Sequence, residues 1–148
     1  MNPLATVLQQ EAKALLNTAN QLQPDQAEAA LNLLQQCSEQ GAKLVVTGVG
    51  KSGIVARKIA ATLSSTGTPA YFVHPGEASH GDLGMIAHDD AVLALSNSGN
   101  TQELNDLVEY TRRFSIPLIA ITARPNSMIS ELADVALILP SVPEGCPM

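Results

Sequence analysis

Tryptophan is absent from this 148-residue chain, and only two tyrosines and two phenylalanines supply aromatic rings. So few rings argue against single-stranded nucleic acid, which is bound by stacking bases on aromatic platforms. Positive charge is also sparse. Eight Lys and Arg against fourteen Asp and Glu leave a net charge of −6, and no basic cluster exceeds Arg112–Arg113. The electrostatic footprint of a nucleic-acid binder is therefore missing. An anionic ligand is not excluded, because helix N-termini and one local lysine can reverse the field inside a site. The two cysteines, Cys37 and Cys146, are too few and too far apart for a disulfide framework or a zinc site, and read as reduced thiols. No basic segment leading into an apolar run opens the chain. No stretch approaches the roughly 18 uninterrupted apolar residues of a membrane span. These absences point to a soluble, cytoplasmic protein with no membrane partner.

Apolar residues, mostly Ala, Leu, Val and Ile, make up 45% of the chain and charged residues 15%. That balance suits helices packed on a parallel sheet, and the length suits one domain with a single core. Residues 1–41 read as a helical segment and 42–148 as an α/β core. Leu4, Val7, Leu8, Leu15, Leu16, Ala19 and Leu22 form a stripe at helical spacing over residues 3–22. A second helix is predicted after Pro24, with Asp25 as its cap and a stop at Gly41. Its line is Ala27, Ala30, Leu31, Leu34 and Cys37. Both stripes are expected to pack chiefly on the core, with a second copy of the chain as the other candidate.

From residue 43 the pattern becomes strand–turn–helix. Apolar runs at 44–47, 70–73, 91–95, 118–122 and 135–139 are predicted strands, with helices to about 65, over 101–114 and near 127–133. Alternating strands and helices predict a five-stranded parallel sheet covered on both faces. In such folds ligands bind outside the carboxyl ends of the strands, where the strand order switches. The turns at 48–53, 74–84, 96–101 and 140–146 all follow strands, so they converge on one rim.

Ser96, Asn97, Ser98, Gly99, Asn100 and Thr101 crowd hydroxyls, amides and backbone N–H groups into one of these turns, just before a predicted helix. That is a seat for a phosphate or similar anion. An ordinary capped turn is the alternative, with Asn100 and Glu103 as a variant capping box. Gly48-x-Gly50-x-x-Gly53 formally matches a dinucleotide fingerprint, but His74 stands where the ribose-gripping acid belongs. A Walker A reading fails because Val45 occupies its first glycine position. Lys51, with Ser52 beside it, remains as a cation at the mouth of a glycine turn. His74, Glu77 and His80 share one loop and are a weak zinc candidate. Glu144 follows the last strand.

Three segments carry a more specific signal: GVGKSGIVARKIAATLSSTGTPAYFVHPGEASHGDLGMI, SNSGNTQEL and PEGCP. From about Leu44 onward they make the chain resemble the sugar isomerase (SIS) domain, specifically its arabinose 5-phosphate isomerase branch. The resemblance implies a flavodoxin-like three-layer sandwich. It also implies reversible isomerisation of D-arabinose 5-phosphate and D-ribulose 5-phosphate, which feeds the eight-carbon acid (Kdo) of lipopolysaccharide in Gram-negative bacteria. On matching positions, Lys51, Glu103 and Glu144 fall on catalytic residues, and Gly67, Thr68, His74 and His80 on substrate contacts. His74 also falls on a position associated with an inhibitory metal. Ser52 and the Ser96, Asn97, Ser98, Gly99 and Thr101 turn fall to substrate binding.

Shifting a carbonyl from C1 to C2 needs a base for the C2 proton and a cation or donor for the enediolate, and no cofactor. Glu103 and Glu144 are both open as that base. Full-length members of the family continue past PEGCP with another helix, a further catalytic His and commonly CBS repeats. The chain reads accordingly as a C-terminally truncated domain without those repeats and with an incomplete catalytic set. The resemblance also implies a homo-oligomer, a dimer or tetramer. The alternative of another class is a sugar-phosphate-binding SIS module without catalysis.

Overall fold

In the computed structural model, which describes residues 2–145, the apolar runs form five strands. They are β1 (Leu44–Gly48), β2 (Ala70–Phe72), β3 (Ala91–Leu95), β4 (Leu118–Thr122) and β5 (Val135–Ile138). All pairings are parallel, in the order β2-β1-β3-β4-β5. The helices are α1 (Pro3–Gln21), α2 (Pro24–Glu39), α3 (Gly50–Ser65), α4 (Pro75–Ala78), α5 (Asn105–Arg113) and α6 (Met128–Leu132). Successive strand side chains point to opposite faces, so the sheet feeds two cores. Val45, Val92, Ala94, Leu118 and Ala120 pack with Leu104, Leu107, Val108 and Ile129 on one side. Leu44, Val46, Leu93, Leu95 and Ile119 pack with Ala30, Cys37, Ala56 and Ala60 on the other. This is the three-layer parallel α/β architecture that the alternation predicted.

Two polar clasps close the end of the sheet where its strands begin. Asp90, only 3% exposed, accepts hydrogen bonds from the Lys43 N–H (2.9 Å) and the Ala87 N–H (2.8 Å). Asp134 accepts from the Leu118 N–H (2.7 Å) and from both terminal nitrogens of Arg112 (3.2 and 2.7 Å). Burial works to raise the Asp134 carboxyl, but the hydrogen bonds from Arg112 and Leu118, with the guanidinium charge, outweigh it and hold the group below the usual carboxylate range. A carboxyl depressed by folding stabilises the protein above its ordinary range, and that contribution is lost as pH falls through the depressed value. The pair is partly exposed, so the ion-pair share is about 1 kcal/mol or less. Asp134→Asn should therefore lower the denaturant midpoint at pH 7 and much less at pH 3. An equal deficit at both values would contradict this account.

Several local expectations are corrected. The α2 cap is Gln23, with Pro24 opening the first turn, and Asp25 lies inside that turn. The Asn100–Glu103 capping box does not form, because the side-chain Oδ1 of Asn100 accepts the Met128 N–H at 2.8 Å. A reciprocal box is made instead by Ser127 and Ser130. The chain enters α5 through a short 3₁₀ turn over Gln102–Leu104, so the α-helix starts four residues later than expected. The α1 stripe does not reach the core: the helix buries none of its residues, and Leu4, Leu8, Leu15 and Leu16 are exposed. Both faces of the sheet are already covered by the other helices, so an amphipathic helix outside them has no apolar layer left to join. Cys37 is buried, and burial pushes its thiol pKa up, as suits an unreactive thiol. Cys146 lies outside the described residues.

Candidate functional site

The strand order runs outward from β1 to β2 in one direction and from β1 to β3 in the other. The loops after β1 and β3 therefore diverge, leaving a crevice at the carboxyl rim. The glycine fingerprint builds the first wall. Gly50 has φ +60, a conformation that costs glycine nothing. A Cβ on Gly53 would lie 2.6 Å from the Gly48 carbonyl oxygen. The three glycines thus let α3 start hard against the end of β1. Lys51 then falls in the first turn of α3 with its side chain exposed, and Ser52 is half-buried.

The Ser-rich turn after β3 forms the second wall. Ser96 is buried, and its Oγ accepts the Gly99 N–H (3.0 Å) and pairs with the Thr101 hydroxyl (2.7 Å). The Asn97 carbonyl accepts from the Ala123 N–H (3.2 Å) and the Thr122 hydroxyl (3.3 Å). The Gly99 carbonyl accepts the Ile129 N–H at 3.1 Å. The turn is thereby clamped to the end of β4 and to α6. The exposed Ser98 accepts the Asn100 N–H at 3.3 Å.

Two adjoining clefts lie between these walls. One, of about 370 Å³, is lined by Lys51, Asn97, Ala123, Arg124 and the segment Pro140–Glu144. The other, of about 240 Å³, adds Ser52, Ser96 and Thr122 over an apolar floor that includes Val55, Leu95 and Leu139. Of the sequence candidates, Lys51, Ser52, Ser96, Asn97 and Glu144 thus share one crevice. A cavity of about 500 Å³ between the α1–α2 turn and β5 contains none of them.

Other candidates stand elsewhere. His74 caps α4, its Nδ1 accepting the Gly76 N–H at 3.0 Å, and it meets the Phe72 ring edge-on at 6.4 Å. His80 follows α4 and is exposed. The Ser79 hydroxyl donates to the Asp106 carboxylate at 2.7 Å, joining this loop to α5. Glu103 is exposed in the 3₁₀ turn. Ser98, Gly99, Thr101, His74, His80 and Glu103 do not line either cleft, although their segments follow strands and belong to the same rim. Gly67 and Thr68 lie between α3 and the start of β2, on the opposite rim, separated by a strand length of roughly 15 Å. Among the described residues no three His, Cys, Asp or Glu side chains gather as a metal cage. The His74–Glu77–His80 zinc candidate is therefore not assembled within the described residues.

Arg124 was absent from the sequence candidates. It follows β4 at the same rim, so a cation directly after a strand, the signal that singled out Lys51, could have found it.

Residues 22–146 match the family described as the SIS domain. The chain is 54% identical over 106 residues to an arabinose 5-phosphate isomerase KdsD from Escherichia coli O157:H7, covering 72% of this chain and 32% of that protein. It is 46% identical over 143 residues to an uncharacterized protein of Helicobacter pylori, covering 96% of this chain and 44% of the other. A solved structure of E. coli CFT073 c3406 in complex with A5P superimposes with a TM-score of 0.87 at 38% identity, covering 97% of this chain and 74% of that one. The chain thus spans about a third of the length of the KdsD relative. On the matched residues and the shared architecture, the chain belongs to the SIS domain family.

Proposed function

We propose that the crevice binds a pentose phosphate and that the chain is the sugar-binding part of an aldose–ketose isomerase converting D-arabinose 5-phosphate and D-ribulose 5-phosphate. The observation that carries this reading is Lys51 and Glu144 lining one cleft with Asn97 of the Ser-rich turn. The KdsD likeness supports the substrate. In this mechanism Glu144 takes the C2 proton as the C1 carbonyl becomes an enediolate, and the proton is returned to C1. Lys51 neutralises charge on the developing O1 oxyanion, and the proton of the O2 hydroxyl passes to O1 as the C2 carbonyl forms. Glu144 is favoured over Glu103 as the base because only Glu144 lines the cleft with Lys51. The apolar floor beside Lys51 limits competing water.

The wider reading is a cytoplasmic homo-oligomer serving lipopolysaccharide synthesis. The exposed leucines of α1 support the self-association in that reading. The test is incubation with arabinose 5-phosphate, following ribulose 5-phosphate alongside a binding titration. Conversion is the expected result. Saturable binding without conversion would favour the non-catalytic sugar-phosphate module, and no binding would overturn both readings.

A further inference from the structure

We propose that Arg124 grips the anionic group of the ligand, dividing the work of the crevice with Lys51, which faces the reacting carbonyl. The inference rests on the pentose-phosphate reading and adds a residue to it. Three observations support it, and each bears on a different property of the side chain.

The first is its lack of partners. The chain has four arginines. Arg112 is held by Asp134 and the Ile116 carbonyl. The Arg57 guanidinium lies over the Phe72 ring at 4.1 Å, and that of Arg113 over Phe114 at 5.6 Å. Among the described residues the Arg124 side chain forms no hydrogen bond, no ion pair and no ring contact. It shares its cleft with Glu144 yet makes no salt bridge to it.

The second is the rigidity of its backbone. The Arg124 N–H donates to the Thr122 hydroxyl at 3.2 Å, and its carbonyl accepts the Ser127 hydroxyl at 2.8 Å. The preceding N–H, of Ala123, bonds the Asn97 carbonyl. The arginine is therefore anchored to the Ser-rich turn itself. A Cα already fixed spares the backbone share of the ordering cost when a ligand arrives, leaving only the side chain to be ordered.

The third is the local charge. Lys51, Arg124 and one carboxylate, Glu144, all line the 370 Å³ cleft, a cationic excess inside a chain of net charge −6. The two cations also differ in kind. A planar guanidinium matches two oxygens of a phosphate ester, whereas an ammonium is a point charge better suited to one developing oxyanion.

The experiment titrates the wild type, Arg124→Gln, Arg124→Lys and Arg113→Gln with arabinose 5-phosphate and, separately, with inorganic phosphate. Thermal midpoints are recorded for each protein. Arg124→Gln should weaken both ligands by about 10- to 100-fold, the loss expected of a charge-assisted contact, with an unchanged midpoint. Arg124→Lys should recover part of that loss, and Arg113→Gln should bind like the wild type. In turnover, KM should rise while kcat holds. Equal affinity in the wild type and Arg124→Gln overturns the proposal, as does a loss that falls on kcat alone. If the wild type binds inorganic phosphate through Arg124 but not arabinose 5-phosphate, the anion site stands and the substrate reading falls.

Discussion

Gly99→Ala is expected to lower stability by about 3 kcal/mol or more and to abolish sugar-phosphate binding. Two costs add at this position. Its φ of +69 strains any residue with a Cβ, and the added atom would collide with the Cβ and Oγ of Ser127 and come within 2.9 Å of the Thr122 hydroxyl. Ser127 is buried and held in its capping box, so it has no room to give way. The turn would have to move, breaking the Gly99–Ser96 and Gly99–Ile129 bonds that shape it. At roughly 2–4 °C per kcal/mol for a chain of this size, the melting temperature should fall by about 10 °C. A midpoint within a degree or two of wild type would mean that the clamp between this turn and α6 is not what holds it.

Lys51→Met should have the opposite profile. The side chain is exposed and its backbone lies in ordinary helix, so stability should change by no more than about 0.5 kcal/mol. Turnover of arabinose 5-phosphate should fall by about 10²–10³-fold, the usual loss when one preorganised stabiliser of a developing oxyanion is removed. Assayed beside Arg124→Gln, the lysine variant should lose kcat, whereas the arginine variant should keep kcat and show a raised KM. Full turnover in Lys51→Met would remove the lysine from the chemistry.

The strands were legible because apolar runs bounded by turn residues leave little other choice. The rim was legible because parallel strands send all their exits one way. Direction of burial was not. The leucines of α1 announce an apolar face, but periodicity does not say whether a layer is left to cover it. Partnership across the chain was equally invisible: Asn100 looks like a local cap, yet it serves Met128, 28 residues on. The same limit applied to the two glutamates. Glu103 sits beside the Ser-rich turn in sequence, but the 3₁₀ turn carries it out of the cleft. Glu144 arrives from 41 residues further on because Pro140–Glu144 folds back over the end of β4. That fold-back also makes Arg124 part of the crevice. The glycine fingerprint taught a related lesson, since its spacing here serves close packing of helix on strand, whatever ligand sits above.

The most direct test of the crevice is an amide chemical-shift map recorded while arabinose 5-phosphate is titrated into the protein. The account predicts shifts concentrated at 48–53, 96–101, 122–124 and 140–144. Shifts centred on Gly67, Thr68 and the neighbouring opposite rim, with those four segments silent, would contradict it.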